Sequence, residues 1–114
     1  MSLRVSRLSD EIRDILASCF LAERLSDPRI KGVTITSVIL SSDLQIAKVY
    51  YRVYDVSQKD MALQGLNRAS GYLKKQLSGL DLRRIPELKF FYDDGIEKKE
   101  NIERLLYEIN QQNK

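Results

Sequence analysis

Leu66-Asn67-Arg68-Ala69-Ser70-Gly71-Tyr72-Leu73-Lys74-Lys75-Gln76-Leu77 is the stretch on which the fold turns. Ala62, Leu66, Ala69, Leu73 and Leu77 recur at steps of four, three, four and four, so a single apolar stripe runs through it in helical phase. Ser70 and Gly71 interrupt that helix chemically. Glycine inside a helix costs about 1 kcal/mol relative to alanine, serine competes for backbone hydrogen bonds, and such a pair is a known cause of kinking. If the helix breaks there, Ser70 becomes the N-cap of a second half and leaves amide groups pointing outward, a notch suited to a phosphate. Asn67, Arg68, Lys74 and Lys75 surround that notch. The competing reading is that Gly71 only lets another backbone approach closely.

Working outward, Val5, Leu8, Ile12, Ile15, Leu16, Cys19 and Phe20 share one side of an amphipathic helix from about Ser6 to Arg24. Asp27-Pro28 stops it, because the residue before a proline is pushed out of the helical region. Val33 to Leu40 and Ile46 to Tyr54 read as strands, joined by the short Ser41–Gln45 connection into an antiparallel hairpin. In the second strand Ala47, Val49, Tyr51 and Val53 face the core, and Ile46, Lys48, Tyr50 and Arg52 a half-wet side. Lys48, Tyr50 and Arg52 could alternatively form an RNA-stacking platform. Asp55 to Lys59 leads into the interrupted helix, with Ser57 as its N-cap and Asp60 in its first turn. After Ser78-Gly79 and a linker carrying Arg83 and Arg84, Glu87 to Tyr92 alternates as a third strand. Asp93-Asp94-Gly95 is turn and capping chemistry, and Ile102, Leu105, Leu106 and Ile109 mark a terminal helix. The expected architecture is a single α+β domain over residues 1–109, with helices on one face of a three-stranded mixed sheet. Residues 110–114 are expected to form a frayed polar tail.

The chain has 114 residues, 31% charged and 43% hydrophobic, the composition of one globular domain. It contains no histidine, and its lone cysteine, Cys19, falls on the apolar stripe of the first helix and reads as core. The commonest general base and metal ligand is therefore absent, and no nucleotide-binding glycine loop occurs. An enzyme, a metal site and a cofactor are not expected. There is no membrane-spanning run or signal peptide, so a cytoplasmic protein is expected. The net charge is +3, but residues 59–92 carry seven basic side chains against three acidic ones. That concentration around the interrupted helix is the footprint expected of nucleic-acid binding. The candidate contacts are Arg68, Lys74, Lys75, Arg83 and Arg84, with Arg4 and Arg7 as weaker ones. The rival is a protein-interaction module whose basic charge only keeps it soluble.

Four landmarks add a resemblance. They are Asp27-Pro28-Arg29-Ile30; Val33-Thr34-Ile35-Thr36-Ser37-Val38 with Ser42-Asp43-Leu44 and Ala47-Lys48-Val49-Tyr50; Leu66-Asn67-Arg68-Ala69-Ser70-Gly71-Tyr72-Leu73 with Leu77; and Arg84-Ile85-Pro86-Glu87-Leu88-Lys89-Phe90 ending in Asp93-Asp94. In this order and spacing the chain resembles the bacterial ribosome-binding factor A family along nearly its whole length. The resemblance implies a type II KH-like domain, ordered helix, strand, strand, kinked helix, strand, helix, in which an Ala-x-Gly kink replaces the phosphate-clamping loop. Ala69-Ser70-Gly71 is similar to that kink. It also implies a non-enzymatic assembly factor that binds the free small ribosomal subunit and its 16S rRNA and assists maturation of the rRNA 5′ end, chiefly in the cold. A monomer without membrane or small-molecule partners is expected. Gly95 departs from the serine expected in the family pattern.

Overall fold

A computed structural model describes residues 3–21 and 25–95. Along them run helix α1 (Leu3–Leu21), strands β1 (Thr34–Leu40) and β2 (Ile46–Arg52), helix α2 (Lys59–Gln76) and strand β3 (Glu87–Tyr92), with short 3-10 turns between. The sheet order is β1-β2-β3, with β1 antiparallel and β3 parallel to β2, so the mixed sheet is as expected. Both helices pack on one face of it around one hydrophobic cluster. The expected terminal helix and tail, and residues 22–24 of the first helix, lie outside the described residues. Among the described residues no helix is long and apolar enough to cross a membrane.

The stripe of α1 buries Val5, Leu8, Ile12, Leu16 and Cys19, which places Cys19 in the core as its sequence position suggests. Ser9 is buried among them. Its hydroxyl donates to the Val5 carbonyl at 2.9 Å and accepts the Leu40 amide at 3.1 Å. A serine in this stripe therefore pairs a backbone donor on the outer strand that has no neighbouring strand to receive it.

Strand β1 breaks strict alternation because the register shifts between Ile35 and Ser37, leaving Thr36 as an extra residue. This bulge brings Ile35, Val38 and Leu40 onto the core face together. In β2, Ala47, Val49 and Tyr51 face the same core, as the alternation requires. The half-wet reading of the opposite face fails at Tyr50, which is 0% exposed. Its ring packs against Phe91, its register partner on β3, with centroids 5.9 Å apart. A fully buried ring cannot stack on a base, which removes the stacking-platform alternative at its central residue.

Leu88 and Phe90 on β3 complete the core. At its end the buried Asp93 carboxylate accepts the Thr36 hydroxyl at 2.6 Å and the Gly95 amide at 3.0 Å, while its carbonyl accepts Arg52 Nε at 3.0 Å. Asp93 is thus turn chemistry, as expected, and it also ties the bulge of β1 to the far end of the sheet.

Asp27 opens a 3-10 turn over Pro28–Ile30, with proline in the first turn, where its missing N–H costs nothing. This turn docks on α2 at Gly65. A Cβ there would stand 2.6 Å from Ile30 Cγ2 and 3.1 Å from Arg29 Cβ, so glycine is required by close approach. Arg29 closes the turn with a fork onto Asp27, Nη2 to Oδ2 at 2.7 Å. That hydrogen bond, then the Arg29 backbone amide, and more weakly the charge of Arg68, hold the Asp27 carboxyl at about 2. A depressed folded-state value means that the charged form stabilises the fold above the unfolded-state value and loses that effect as pH falls. The stability gap between the natural chain and Asp27→Asn is therefore expected to be constant above roughly pH 5 and to close between roughly pH 4 and 2. Urea unfolding of both proteins across that range checks it, and a gap independent of pH would show that the carboxylate charge is not what holds the turn.

Candidate nucleic-acid interface

Helix α2 does not break. It runs from Lys59 to Gln76 and closes with a 3-10 turn over Leu77–Gly79. Ser70 is not an N-cap, because its hydroxyl donates back to the Asn67 carbonyl at 2.8 Å. The notch of free amides expected at Ser70 and Gly71 is therefore absent. The physical reason is on the other face of the helix: Leu66, Leu73 and Leu77 are 0% exposed, and burying a side chain of this size contributes about 1.5–3 kcal/mol. That outweighs about 1 kcal/mol for an interior glycine. The entry is also different from the expected one. Asp55, not Ser57, caps a 3-10 turn over Val56–Gln58 by accepting the Ser57 amide, and Asp60 lies in the first turn of α2 as expected.

An outward row remains. Asn67, Gly71 and Lys75, at steps of four, are all exposed and lie one above another on the helix surface. Arg68, also exposed, flanks the row on one side and the half-buried Lys74 on the other. Among the described residues, a Cβ at Gly71 would meet nothing within 4 Å, so neither another backbone nor a side chain of those residues approaches there. The row is a strip of positive charge with a bare backbone at its centre. Two expected members differ from it. Ala69 packs against the core, and Lys74 Nζ is 3.2 Å from Glu87 Oε2 in an exposed ion pair. Exposed pairs of this kind are worth about 0–1 kcal/mol, so Lys74 can exchange that carboxylate for another anion.

The structure separates the remaining expected contacts from this row. Arg4 from α1 and Arg83 and Arg84 from the linker line one groove, with Asp43, Leu44, Gln45, Asp81 and Leu82. Arg7 is exposed on α1, one turn beyond Arg4. Tyr72 is a residue that sequence reasoning misses. It is 39% exposed and stands one turn after Arg68, an aromatic off the apolar stripe beside basic side chains. That departure from the stripe is its sequence signal.

A family model described as ribosome-binding factor A matches residues 4–106. Among solved structures the chain is similar to the crystal structure of ribosome-binding factor A from Thermus thermophilus. The identity is 28% over 77% of this chain and 94% of that one, with a TM-score of 0.67. A Thermotoga maritima protein assigned as a ribosome binding factor A is 33% identical over 85% of this chain and 93% of its own, with a TM-score of 0.72. The third is the Thermus thermophilus ribosome binding factor A homology model fitted into the cryo-electron-microscopy map of a complex of that protein with the 30S subunit. It is 30% identical over 73% of this chain and 88% of that chain, with a TM-score of 0.59.

Proposed function

The chain belongs to the ribosome-binding factor A family, and on that premise we propose that it binds the free small ribosomal subunit through 16S rRNA, as a monomer in the cytoplasm. The observation that carries this reading is the outward row of α2. Asn67, Arg68, Lys74 and Lys75 border the bare backbone at Gly71, and nothing within the described residues covers it. Phosphates approach that strip without steric hindrance, and Tyr72 offers an aromatic face beside it. Arg83, Arg84, Arg4 and Arg7 supply a second basic area, so the rRNA spans both.

A binding-only domain acts by differential affinity. It favours one arrangement of rRNA and shifts the population toward it by the difference in binding free energy. In this reading the chain promotes maturation of the 16S rRNA 5′ end without catalysing it. Its effect is largest in the cold, where misfolded base pairing persists longest. Filter binding of 16S rRNA at several salt concentrations tests the reading. Affinity is expected to fall linearly with log salt, with one unit of slope for roughly each phosphate contact. Retention that is negligible at low salt would instead favour the protein-interaction module.

A further inference from the structure

The groove between α1, the hairpin turn and the linker before β3 has a volume of about 550 Å³, the size of a site for a small organic ligand. Its lining is unusual for a surface that merely attracts phosphate. Arg4, Arg83 and Arg84 share it with two carboxylates, Asp43 and Asp81, and with the apolar Leu44 and Leu82. Among the described residues the side chains of Arg4, Asp81, Arg83 and Arg84 make no ion pair or hydrogen bond. Opposite charges stand around one concavity without neutralising one another.

The walls are held. Asp43 accepts the Ser41 hydroxyl at 2.7 Å and the Gln45 amide at 3.1 Å, and these bonds keep its carboxyl below its ordinary value. The Gln45 carbonyl accepts the Glu87 amide at 2.8 Å, joining the hairpin turn to the start of β3. Leu44 adopts a left-handed backbone at φ 63°, a conformation that glycine or asparagine would take at lower cost. Its side chain packs against the core and lines the groove, as does that of Leu82.

A phosphate site needs donors alone, and two carboxylates would oppose it. A nucleobase needs an apolar face to lie on and both donors and acceptors at its edges. Guanine is the base whose edge offers two adjacent N–H donors, N1 and N2, to one carboxylate, while its O6 and N7 accept from a guanidinium. We propose that this groove binds a guanosine 5′-phosphate unit, with Asp81 accepting from N1 and N2 and Leu44 and Leu82 against the base. Arg83 holds the phosphate, and Arg84 and Arg4 the O6/N7 edge. This inference rests on the RNA-binding reading above, and the guanosine is either an unpaired residue of RNA or a free nucleotide.

Fluorescence anisotropy of the full chain with labelled oligouridylates carrying one central guanosine, inosine or adenosine tests it. The guanosine oligomer is expected to bind about tenfold more tightly than the adenosine oligomer, with inosine, which lacks the N2 amino group, between them. Asp81→Asn should abolish the preference and leave adenosine-oligomer affinity unchanged, while Arg83→Ala should weaken every oligomer without changing the ratio. Asp81 and Arg83 are exposed, so neither variant threatens the core. Displacement by guanosine monophosphate at concentrations near the oligomer's own dissociation constant assigns the groove to a free nucleotide, and its absence assigns it to RNA. Equal binding of guanosine and adenosine oligomers, or a preference that survives Asp81→Asn, overturns the proposal. A chain that sediments with small subunits but shows no guanosine preference loses this inference alone. One that prefers guanosine but ignores subunits loses the functional reading alone.

Discussion

Gly65→Ala is expected to destabilise the fold by about 1–2 kcal/mol, while Gly71→Ala, six residues along the same helix, is expected to stabilise it by about 0.5–1 kcal/mol. Both substitutions gain the same helix propensity. They differ in what the new methyl meets: at Gly65 it is driven into Ile30 Cγ2 at 2.6 Å, on a side chain that is only 3% exposed, and at Gly71 it meets nothing among the described residues. Overpacking of a tight contact costs about 1–3 kcal/mol, which exceeds the propensity gain. Urea unfolding of the two variants measures both signs. Stabilisation at Gly65 would mean that the turn over Pro28–Ile30 moves aside at no cost, and destabilisation at Gly71 would mean that α2 is strained there after all. Gly71→Ala has a second readout. If RNA approaches the bare backbone, the more stable variant should bind 16S rRNA less tightly.

Reversing charge on the outward row should have the largest effect on binding. Arg68→Glu with Lys75→Glu removes two phosphate contacts and is expected to reduce the salt slope by about two units. The affinity at 0.1 M salt should fall roughly 25- to 65-fold, since each contact contributes roughly five- to eightfold at that concentration. Both side chains are exposed and Arg68 only weakly supports the Asp27 carboxylate, so the variant should stay within about 0.5 kcal/mol of the parent in urea unfolding. Filter binding across a salt series gives slope and affinity together. An unchanged slope would move the footprint off α2.

The fold is legible in the sequence because its elements are built on local periodicity. The stripes of α1 and α2, the alternation of β2 and β3 and the turn chemistry at Asp27-Pro28 and Asp93-Asp94 each occupy a few consecutive residues. Features that depend on distant contacts are not legible. The interruption at Ser70 and Gly71 looks decisive because propensity is local, whereas the burial that overrides it comes from Leu66, Leu73 and Leu77 against the sheet. The glycine that does carry a tertiary role, Gly65, sits on the apolar side of the helix and offers no local sign that Ile30 presses on it. Thr36 likewise becomes a bulge only through its pairing with β2. At the candidate site the basic residues are visible in the charge count. Their division into an α2 row and a groove is not, because the groove gathers residues 4, 43–45 and 81–84 from three separate elements.

The proposed function is that this domain binds the free small ribosomal subunit rather than the joined ribosome. Gradient co-sedimentation of the purified chain with free small subunits and with joined ribosomes, at matched magnesium and salt, measures that claim directly. Near-stoichiometric occupancy of free subunits with little on joined ribosomes is the expected result. Equal occupancy of both particles, or occupancy of neither, would contradict it.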